Sequence, residues 1–582
     1  MLLSKLGHAL SGHKWRANGI RLQDSHHDKA ASLRSRIMPT PLPKVLRINL
    51  RQADGSFANP VVAVGDRVLQ YQLIAQPGSE YAAPVHAPAS GEILAIEHSQ
   101  SISHDALELN IVITVDEQQQ SLVTPALEDY RSENPEQIHK RIENAGVRGG
   151  AGIGFPVASK IQLGKRPNAR VVIINAVECE PAISADEALC REYAEQLVTG
   201  AEILQYAALA ERCVLAFQKG KPDALQALKE ALSNSSVELD LAPATYPAGN
   251  ERQLVQRILG KEIPTVTFPA DCGVLVFNAS AAYNSYLAVC HGLPCVSRIV
   301  TLTGQALRTP KNFEVPLGTP ASHLLALSGA DSENDFGVIV GDPLTGQLLL
   351  ERESGIEIGT RCLIAVGENE FPEPQPESAC THCGECREAC AMGLHPDVLR
   401  QLTAGDEIPT LQREGLADCL HCGACSYSCP SSINLAAELQ SAAITLSEQQ
   451  VAATTSQYWK SRFEFHQQRL QKNKPKPDPV TDSAVKHPHE PVSAETATPH
   501  PTSATLEQTP AASLTAPASD ADQAPFSKER AQLDIAAAVA RVKAKRSPRR
   551  SQRQPARQDD GQQNVSVEQS AGATDDGETD GE

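Results

Sequence analysis

Aromatic residues make up only 4% of this 582-residue chain, and just two of them are tryptophan. So few large flat side chains cannot pack a core along the whole length, and part of the chain is expected to stay outside folded domains. No stretch approaches the roughly eighteen consecutive apolar residues of a membrane-spanning helix. The opening "MLLSKLGHALSGHKWRANG" lacks the continuous apolar core of a secretory signal. Positive charge is short as well: 52 Lys and Arg stand against 70 Asp and Glu, a formal net charge of −18. That balance argues against a general nucleic-acid binder. These absences predict a cytosolic chain of roughly three to five domains, with any membrane association made through partners.

Cysteine is sparse except in two places. Of fifteen, eight fall in "CTHCGECREAC" (Cys380 to Cys390) and "CLHCGACSYSCP" (Cys419 to Pro430). The other seven (Cys179, Cys190, Cys213, Cys272, Cys290, Cys295, Cys362) are scattered and odd in number. That is a poor disulfide framework and fits a reducing compartment, each reading as a small buried apolar residue. Both runs have the form C-x2-C-x2-C-x3-C. Three closely spaced thiolates can wrap one face of a cubane, and in two-cluster ferredoxins the fourth ligates the other cluster. Cys380, Cys383, Cys386 and Cys429 are therefore expected to hold one [4Fe–4S] cluster. Cys390, Cys419, Cys422 and Cys425 are expected to hold a second. A structural zinc needs only four ligands, usually from two C-x2-C ends, and fits this pattern poorly. The segment "HPDVLRQLTAGDEIPTLQREG" between the runs reads as helical at first, which predicts a helical two-cluster ferredoxin module. His382 and His421 sit inside the runs, where the plain reading is a solvated loop histidine.

Upstream, "AGVRGGAGIGFPVASK" (Ala145 to Lys160) carries four glycines before an expected helix. Glycines let backbone N–H groups approach phosphate, and a helix start adds favourable partial charge. Lys160 could add a full one, though a plain tight turn is an equally simple account of such a loop. "ARVVIINAVECEP" reads as a buried strand ending at Asn175, and "CGVLVFNAS" repeats the form with Asn278. Ligands in open α/β sheets collect outside the carboxyl ends of strands. Glu178 and Glu180 follow the first strand, where the plain reading is a solvated loop. "GNERQLVQRILG" reads as a surface helix with Leu254, Ile258 and Leu259 inward.

"GVRGGAGIGFPVASK" resembles the flavin loop of the FMN- and NADH-binding subunit of respiratory complex I, and "NAVECEP" resembles that family's N-A-D-E-x-E-P segment. With the cysteine runs downstream, the order resembles that of the C subunits of Rnf-type (Rsx-type in some bacteria) ion-translocating electron transport complexes, over roughly residues 40 to 440. The resemblance implies that the backbone around Gly149, Gly150 and Gly152, with Lys160, holds FMN phosphate, Arg148 belonging to the same cofactor-binding set. It implies that Asn175, Glu178 and Asn278 line the flavin, that Phe155 stacks on the NADH adenine, and that Glu180 contacts the nicotinamide side. The complex I loop has an arginine where Gly150 stands and an aspartate where Val177 stands.

"VAVGDRVLQYQLIA" with "APVHAPASGEILAI" resembles the barrel-sandwich hybrid of biotinyl and lipoyl domains. No lysine sits at its middle turn, so it reads as a docking or scaffold domain. "RIVTLTGQALRTPKNFEVPLGTPASHLLALSGA" resembles the β-grasp module that follows the flavin domain in complex I. The expected order is an N-terminal arm (1–39), barrel-sandwich hybrid (40–115), FMN/NADH-binding α/β domain (116–282), β-grasp domain (283–365) and two-cluster ferredoxin domain (366–440). A helical extension (441–472) and a disordered Pro/Ser/Thr/Ala-rich tail (473–582) follow. The tail contains one candidate amphipathic helix, "KERAQLDIAAAVARVKAKR", with Ile535, Val539 and Val542 on one side. The expected function is peripheral electron transfer between NADH, through FMN and the two clusters, and ferredoxin or the iron–sulfur and membrane-embedded subunits of the same complex, at the cytoplasmic face of a bacterial inner membrane. A soluble diaphorase-type subunit of a hydrogenase or formate dehydrogenase, and a cluster-bearing scaffold with a vestigial flavin pocket, are the competing readings.

Overall fold

The computed structural model describes residues 19–22, 29–122, 124–150, 152–165, 169–265, 267–330, 337–368, 370–371, 375–405 and 408–472. The Pro-rich tail and its candidate amphipathic helix lie outside the described residues.

The barrel-sandwich domain comes first. Strands Val45–Asn49, Leu107–Val115, Gly91–Gln100 and Arg67–Val68 form one antiparallel sheet. Strands Asn59–Pro60, Leu73–Gln76 and Val85–His86 form a second. Residues of a strand alternate between faces, so Leu46 and Ile48 turn inward while their neighbours stay half-exposed. They pack with Ile93, Ile111 and Ile113 into one core. The Ser90-Gly91 turn is tight because a Cβ on Gly91 would lie 2.1 Å from the Thr114 carbonyl oxygen.

The next domain has a four-stranded parallel sheet in the order Glu238–Ala242, Arg212–Gln218, Val171–Ala176, Val274–Asn278. Parallel strands are buried on both faces, and Val171–Ala176 is an unbroken apolar run up to Asn175. Val172 and Ile174 face the helix Ala194–Ala207, whereas Ile173 faces the helix Glu251–Leu259 with Leu254 and Val255. Leu254, Ile258 and Leu259 all turn toward this second core. The strand Val171–Ala176 is first in the chain, yet the second and third strands lie on one side of it and the fourth on the other. Its edge toward Val274–Asn278 is thus the point where strand order reverses, the usual site for a ligand crevice in such sheets.

A six-stranded mixed sheet follows, carrying Ser297–Thr303, Lys311–Pro316 and Cys362–Ala365, with the helix Ala321–Leu327. Its outermost strand is Met38–Pro39, which pairs in parallel with Phe313 and Glu314. The end of the expected N-terminal arm therefore belongs to a sheet completed some 270 residues later. Further upstream, Ile20 exchanges two backbone hydrogen bonds with Tyr246.

The last domain is helical. Helices Glu385–Ala389, Pro396–Ala404, Ile408–Arg413 and Ala424–Tyr427 pack against the start of a long helix, Leu435–Lys472. No strand occurs among the described residues after 374. Leu399, Leu411, Leu416 and Leu439 form its core. No described helix is long and apolar enough to cross a membrane.

The parallel-sheet domain has one unforgiving contact. A Cβ on Gly200, within Ala194–Ala207, would lie 1.9 Å from the carbonyl oxygen of Ala282 in the facing helix Ala279–Cys290. Gly200→Ala should therefore destabilise the domain by roughly 1–3 kcal/mol through overpacking, despite the better helix propensity of alanine. A urea midpoint equal to or above that of the parent chain would contradict this.

Candidate flavin and iron–sulfur site

At the order reversal, Asn278 and Asn175 are register partners across the two strands. Asn175 Nδ2 donates to the Gly249 carbonyl at 2.7 Å, and its Oδ1 accepts from the Val177 N–H at 3.1 Å. Asn278 Oδ1 accepts from the Ala281 N–H at 2.9 Å and caps the helix Ala279–Cys290. The glycine loop folds onto this point and leads into the expected helix, Val157–Lys165. The Gly149 N–H donates to the Phe155 carbonyl at 2.9 Å, and a Cβ on Gly149 would lie 3.9 Å from Asn278 Nδ2. Backbone without side chains thus lines the crevice, a cradle that suits a phosphate or a flat ring.

Lys160 is engaged within the protein. Its Nζ donates to Glu251 Oε1 and to the Val276 carbonyl, both at 2.8 Å. A different cation stands at the loop. Arg298, buried in the mixed sheet, donates Nη2 to the Gly150 carbonyl at 2.8 Å. Its Nε and Nη1 have no partner among the described residues, and burial, reinforced by Arg361, pulls its pKa down to about 9. A side chain at position 150 would strike Ser280 Oγ at 2.7 Å. The site that holds an arginine in the complex I loop is thus closed here, and a guanidinium reaches the same place from another element.

Glu178 is not solvated, and Glu180 is half-buried. Glu178 is fully buried and its carboxylate accepts from the N–H groups of Asp186 and Glu187, at the start of the helix Ala185–Glu192. Lys221 Nζ lies 3.4 Å from Glu178 and 3.1 Å from Glu187. Arg361 bonds Glu180 at 2.9 Å and lies 3.4 Å from Asp186 and 3.7 Å from Glu178. Burial alone would pull Arg361 down, but the three carboxylates outweigh it and hold the group above its ordinary value. Burial also pushes Asp186 up to about 6 against the pull of Arg361.

Beside the loop lies a cavity of about 650 Å³ at the junction of the barrel-sandwich, parallel-sheet and mixed-sheet domains. Arg148, Gly152 and Glu180 line it, whereas Gly149, Gly150, Phe155, Lys160, Asn175, Glu178 and Asn278 do not. The expected site residues therefore fall into a crevice group, a cavity group, and Glu178, which is absorbed into the buried ion network. Phe155 packs against Tyr81 of the barrel-sandwich domain, ring centroids 5.8 Å apart. Gly249, Glu251 and Arg298 were missed by sequence reasoning. Only "GNE" ahead of the helix at Glu251 offered a signal.

The cysteines gather as two quartets. One small cavity is lined by Cys380, Cys383, Cys386 and Cys429 together with Ile433 and Leu435. Another is lined by Cys390, Cys419, Cys422 and Cys425 together with Met392 and Leu439. Each last cysteine crosses to the quartet built by the other run. Among the described residues no three His, Cys, Asp or Glu side chains converge as a single metal ion requires. The sulfurs stand around a space, the arrangement a four-iron cubane needs. Backbone N–H groups already point at sulfur, from His382 to Cys380 and from Leu394 to Cys390, both at 3.4 Å. The runs share a local fold: His382 and His421 have φ of 57° and 51°, and Gly384 and Gly423 have φ of 83° and 78°. His382 is exposed, while His421 is half-buried with its Nδ1 unpartnered among the described residues. Of the seven scattered cysteines, Cys190, Cys213 and Cys362 are buried and Cys272 is exposed.

Among the described residues, the second quartet is the one held to the parallel-sheet domain by polar contacts. Tyr246 donates its hydroxyl to the Cys422 carbonyl at 2.6 Å, and Gln253 donates to the Ala391 carbonyl at 3.0 Å. Arg252 and Thr265 both bind Asp418, at 2.7 and 2.9 Å. In the first quartet, by contrast, Cys383 is exposed.

Comparison with known proteins fits this geometry. The model of the RnfC barrel sandwich hybrid domain matches residues 17–118, that of the Nuo51 FMN-binding domain residues 142–286, and that of the 4Fe-4S dicluster domain residues 369–433. The C subunit of the ion-translocating oxidoreductase complex of Vibrio cholerae serotype O1 is 34% identical over 477 residues, 81% of this chain and 61% of the relative. The protein of the same name from Pseudomonas aeruginosa is 36% identical over 442 residues, 75% and 57% respectively. Over most of its own length the chain is similar to these C subunits. It spans about three fifths of the length of these relatives. An NAD+-reducing [NiFe]-hydrogenase structure aligns at a TM-score of 0.40 and 19% identity, covering 56% of this chain and 63% of that one, a likeness too low to carry an argument.

Two outcomes are expected. Cys429→Ala should deplete the cluster of the Cys380 quartet and Cys390→Ala that of the Cys419 quartet, each removing up to about four irons. Iron content with electron paramagnetic resonance reads this, and the reverse assignment would break the grouping. On the cavity wall, burial pulls His86 down to about 4. The unfolded chain takes up that proton near pH 6.5 while the native chain refuses it until about 4. Stability should therefore fall as pH drops through this window, by up to about 1.4 kcal/mol per unit. His86→Gln should flatten that part of the stability curve in urea titrations, and an unchanged slope would refute the assignment.

Proposed function

We propose that the chain is the peripheral electron-transfer subunit of a membrane-bound ion-translocating complex at the cytoplasmic face of a bacterial inner membrane. It exchanges electrons between NADH and partner subunits or ferredoxin by way of FMN and two [4Fe–4S] clusters. When bound, FMN supplies the conversion between two-electron and one-electron chemistry, and the clusters carry single electrons. The chain's own part is position and electrostatics. The backbone of the glycine loop, with Arg298 beside it, would hold the flavin at the paired asparagines, and Arg148 would face the adjoining cavity. Burial pushes Glu180 at the cavity wall up, but Arg361, Lys29 and the hydrogen bonds to its carboxylate together outweigh that push and hold it below the usual carboxylate range.

The observation that carries this reading is the one-sided grip on the second quartet. Tyr246, Arg252, Gln253 and Thr265 bind residues beside Cys390, Cys419 and Cys422. The second cluster would thus stand next to the flavin domain, and the first, with exposed Cys383, would face the next carrier. Among the described residues no helix can cross a membrane, so moving an ion would fall to partner subunits.

Anaerobic isolation and loading provide the test. The chain should hold about eight irons and about eight acid-labile sulfides with FMN, and NADH should bleach the cluster absorbance. Full iron without flavin after reconstitution would sink the NADH reading and leave a scaffold. Far fewer irons would sink the relay itself.

A further inference from the structure

The barrel-sandwich domain reads from sequence as a scaffold, yet it supplies one whole wall of the 650 Å³ cavity, including Asn49, Arg51, His86 and His104. It also grips the glycine loop from outside. Arg148 Nη2 donates to the Arg51 carbonyl at 3.3 Å, and Ser159 Oγ donates to the Glu80 carbonyl at 2.8 Å. A Cβ on Gly146 would lie 2.4 Å from the Pro84 carbonyl oxygen, so the two backbones are in close contact.

The two arginines of the cavity nearest the glycine loop differ in their partners. Arg51 pairs with Glu108 at 2.8 Å. Among the described residues Arg148 is bonded only to carbonyl oxygens, those of Gly154 and Arg51, and burial pulls its pKa down. Glu357, the carboxyl nearest by, is bonded to Asn49 and Ser101, and burial pushes it toward its neutral form. Arg148 thus has no carboxylate bonded to it among the described residues. Two further polar atoms on the cavity wall are buried without a partner among the described residues, His86 Nδ1 and Glu180 Oε2. A buried cation without a counter-charge and orphaned polar atoms are costly unless a ligand satisfies them. An anion with its own donors and acceptors, in a space of this size, matches a dinucleotide.

We propose that the barrel-sandwich domain forms part of the nucleotide site, and that Arg51 and Arg148 take the diphosphate of a nicotinamide dinucleotide in this cavity. The proposal rests on the NADH reading above and adds to it the residues of a second domain. The carboxylate of Glu180 and the imidazole of His86 remain for the nicotinamide side or the ribose hydroxyls. Part of the binding energy for the nucleotide then comes from Arg51, which lines the cavity on a different domain from the paired asparagines, so flavin retention and nucleotide affinity are separable at that residue.

The test uses the fully loaded chain and ADP-ribose, which carries the diphosphate and no nicotinamide, titrated by calorimetry. Because Glu108 is buried, Arg51→Gln is combined with Glu108→Gln so that no charge is stranded. The double variant should bind ADP-ribose about tenfold more weakly, one factor of ten being about 1.4 kcal/mol. Its FMN and iron contents should be unchanged, and Arg51→Lys should retain part of the affinity. Equal affinity in parent and double variant overturns the proposal. A parent chain bleached by NADH that does not bind ADP-ribose also overturns it while leaving the NADH reading intact. A loaded parent chain that NADH does not bleach overturns that reading, and this inference with it.

Discussion

One buried positive charge ties the middle of the molecule together. Arg361 immediately precedes the mixed-sheet strand Cys362–Ala365, and its partners Glu178, Glu180 and Asp186 belong to the parallel-sheet domain. Taking a guanidinium and three carboxylates out of water is costly, and the cost is offset only if all of them stay together. That condition fixes the angle between the two sheets. It also fixes the Asn175 strand end, because Glu178 and Glu180 follow within five residues. Lys221 and the start of the helix Ala185–Glu192 supply the remaining partners for Glu178. The crevice, the glycine loop and the three-domain cavity are all arranged around this cluster.

How much of this could be read in advance depends on how local each constraint is. The cysteine quartets were legible because a cubane demands four sulfurs and the spacing lies within one short run plus its repeat. The paired asparagines were legible because each ends an unbroken apolar run, and strand ends are where such sheets bind. Glu178 was expected to line the flavin, with a solvated loop as the plain alternative, and the partners that bury it are remote in sequence. Lys221 lies 43 residues away, and Arg361 lies 181 residues from Glu180. Arg298 was invisible for the same reason: its link to Gly150 spans 148 residues. Lys160 was expected at the phosphate from the resemblance and its place in the loop; its pairing with Glu251, 91 residues away, had no local signal.

The two cysteine quartets share a local fold but not an environment. Both place a histidine in the left-handed region two residues after the first cysteine, followed by a glycine in the same region. One quartet is enclosed by two other domains, Gly423 standing against the Leu344 carbonyl and Tyr246 against Cys422. The other is open at Cys383. Burial, hydrogen bonding to sulfur and solvent access are the levers by which protein tunes a cluster. Clusters held in the two quartets would therefore differ in solvent access and in the protein packed around them.

The pairing of Met38–Pro39 with Phe313 and Glu314, and of Ile20 with Tyr246, bears on how the chain is made. Synthesis delivers the amino terminus first, but the edges it must join emerge hundreds of residues later. Arg191 and Glu192 hold residues 33–37 in between, by hydrogen bonds to the Leu33 and Ser35 carbonyls and the Ile37 N–H, and closing the longer loops carries an added entropic cost. The docked positions of these segments therefore depend on remote parts of the chain: Ile20 is anchored only with Tyr246 in place, and Met38–Pro39 only with the strand Lys311–Pro316 in place.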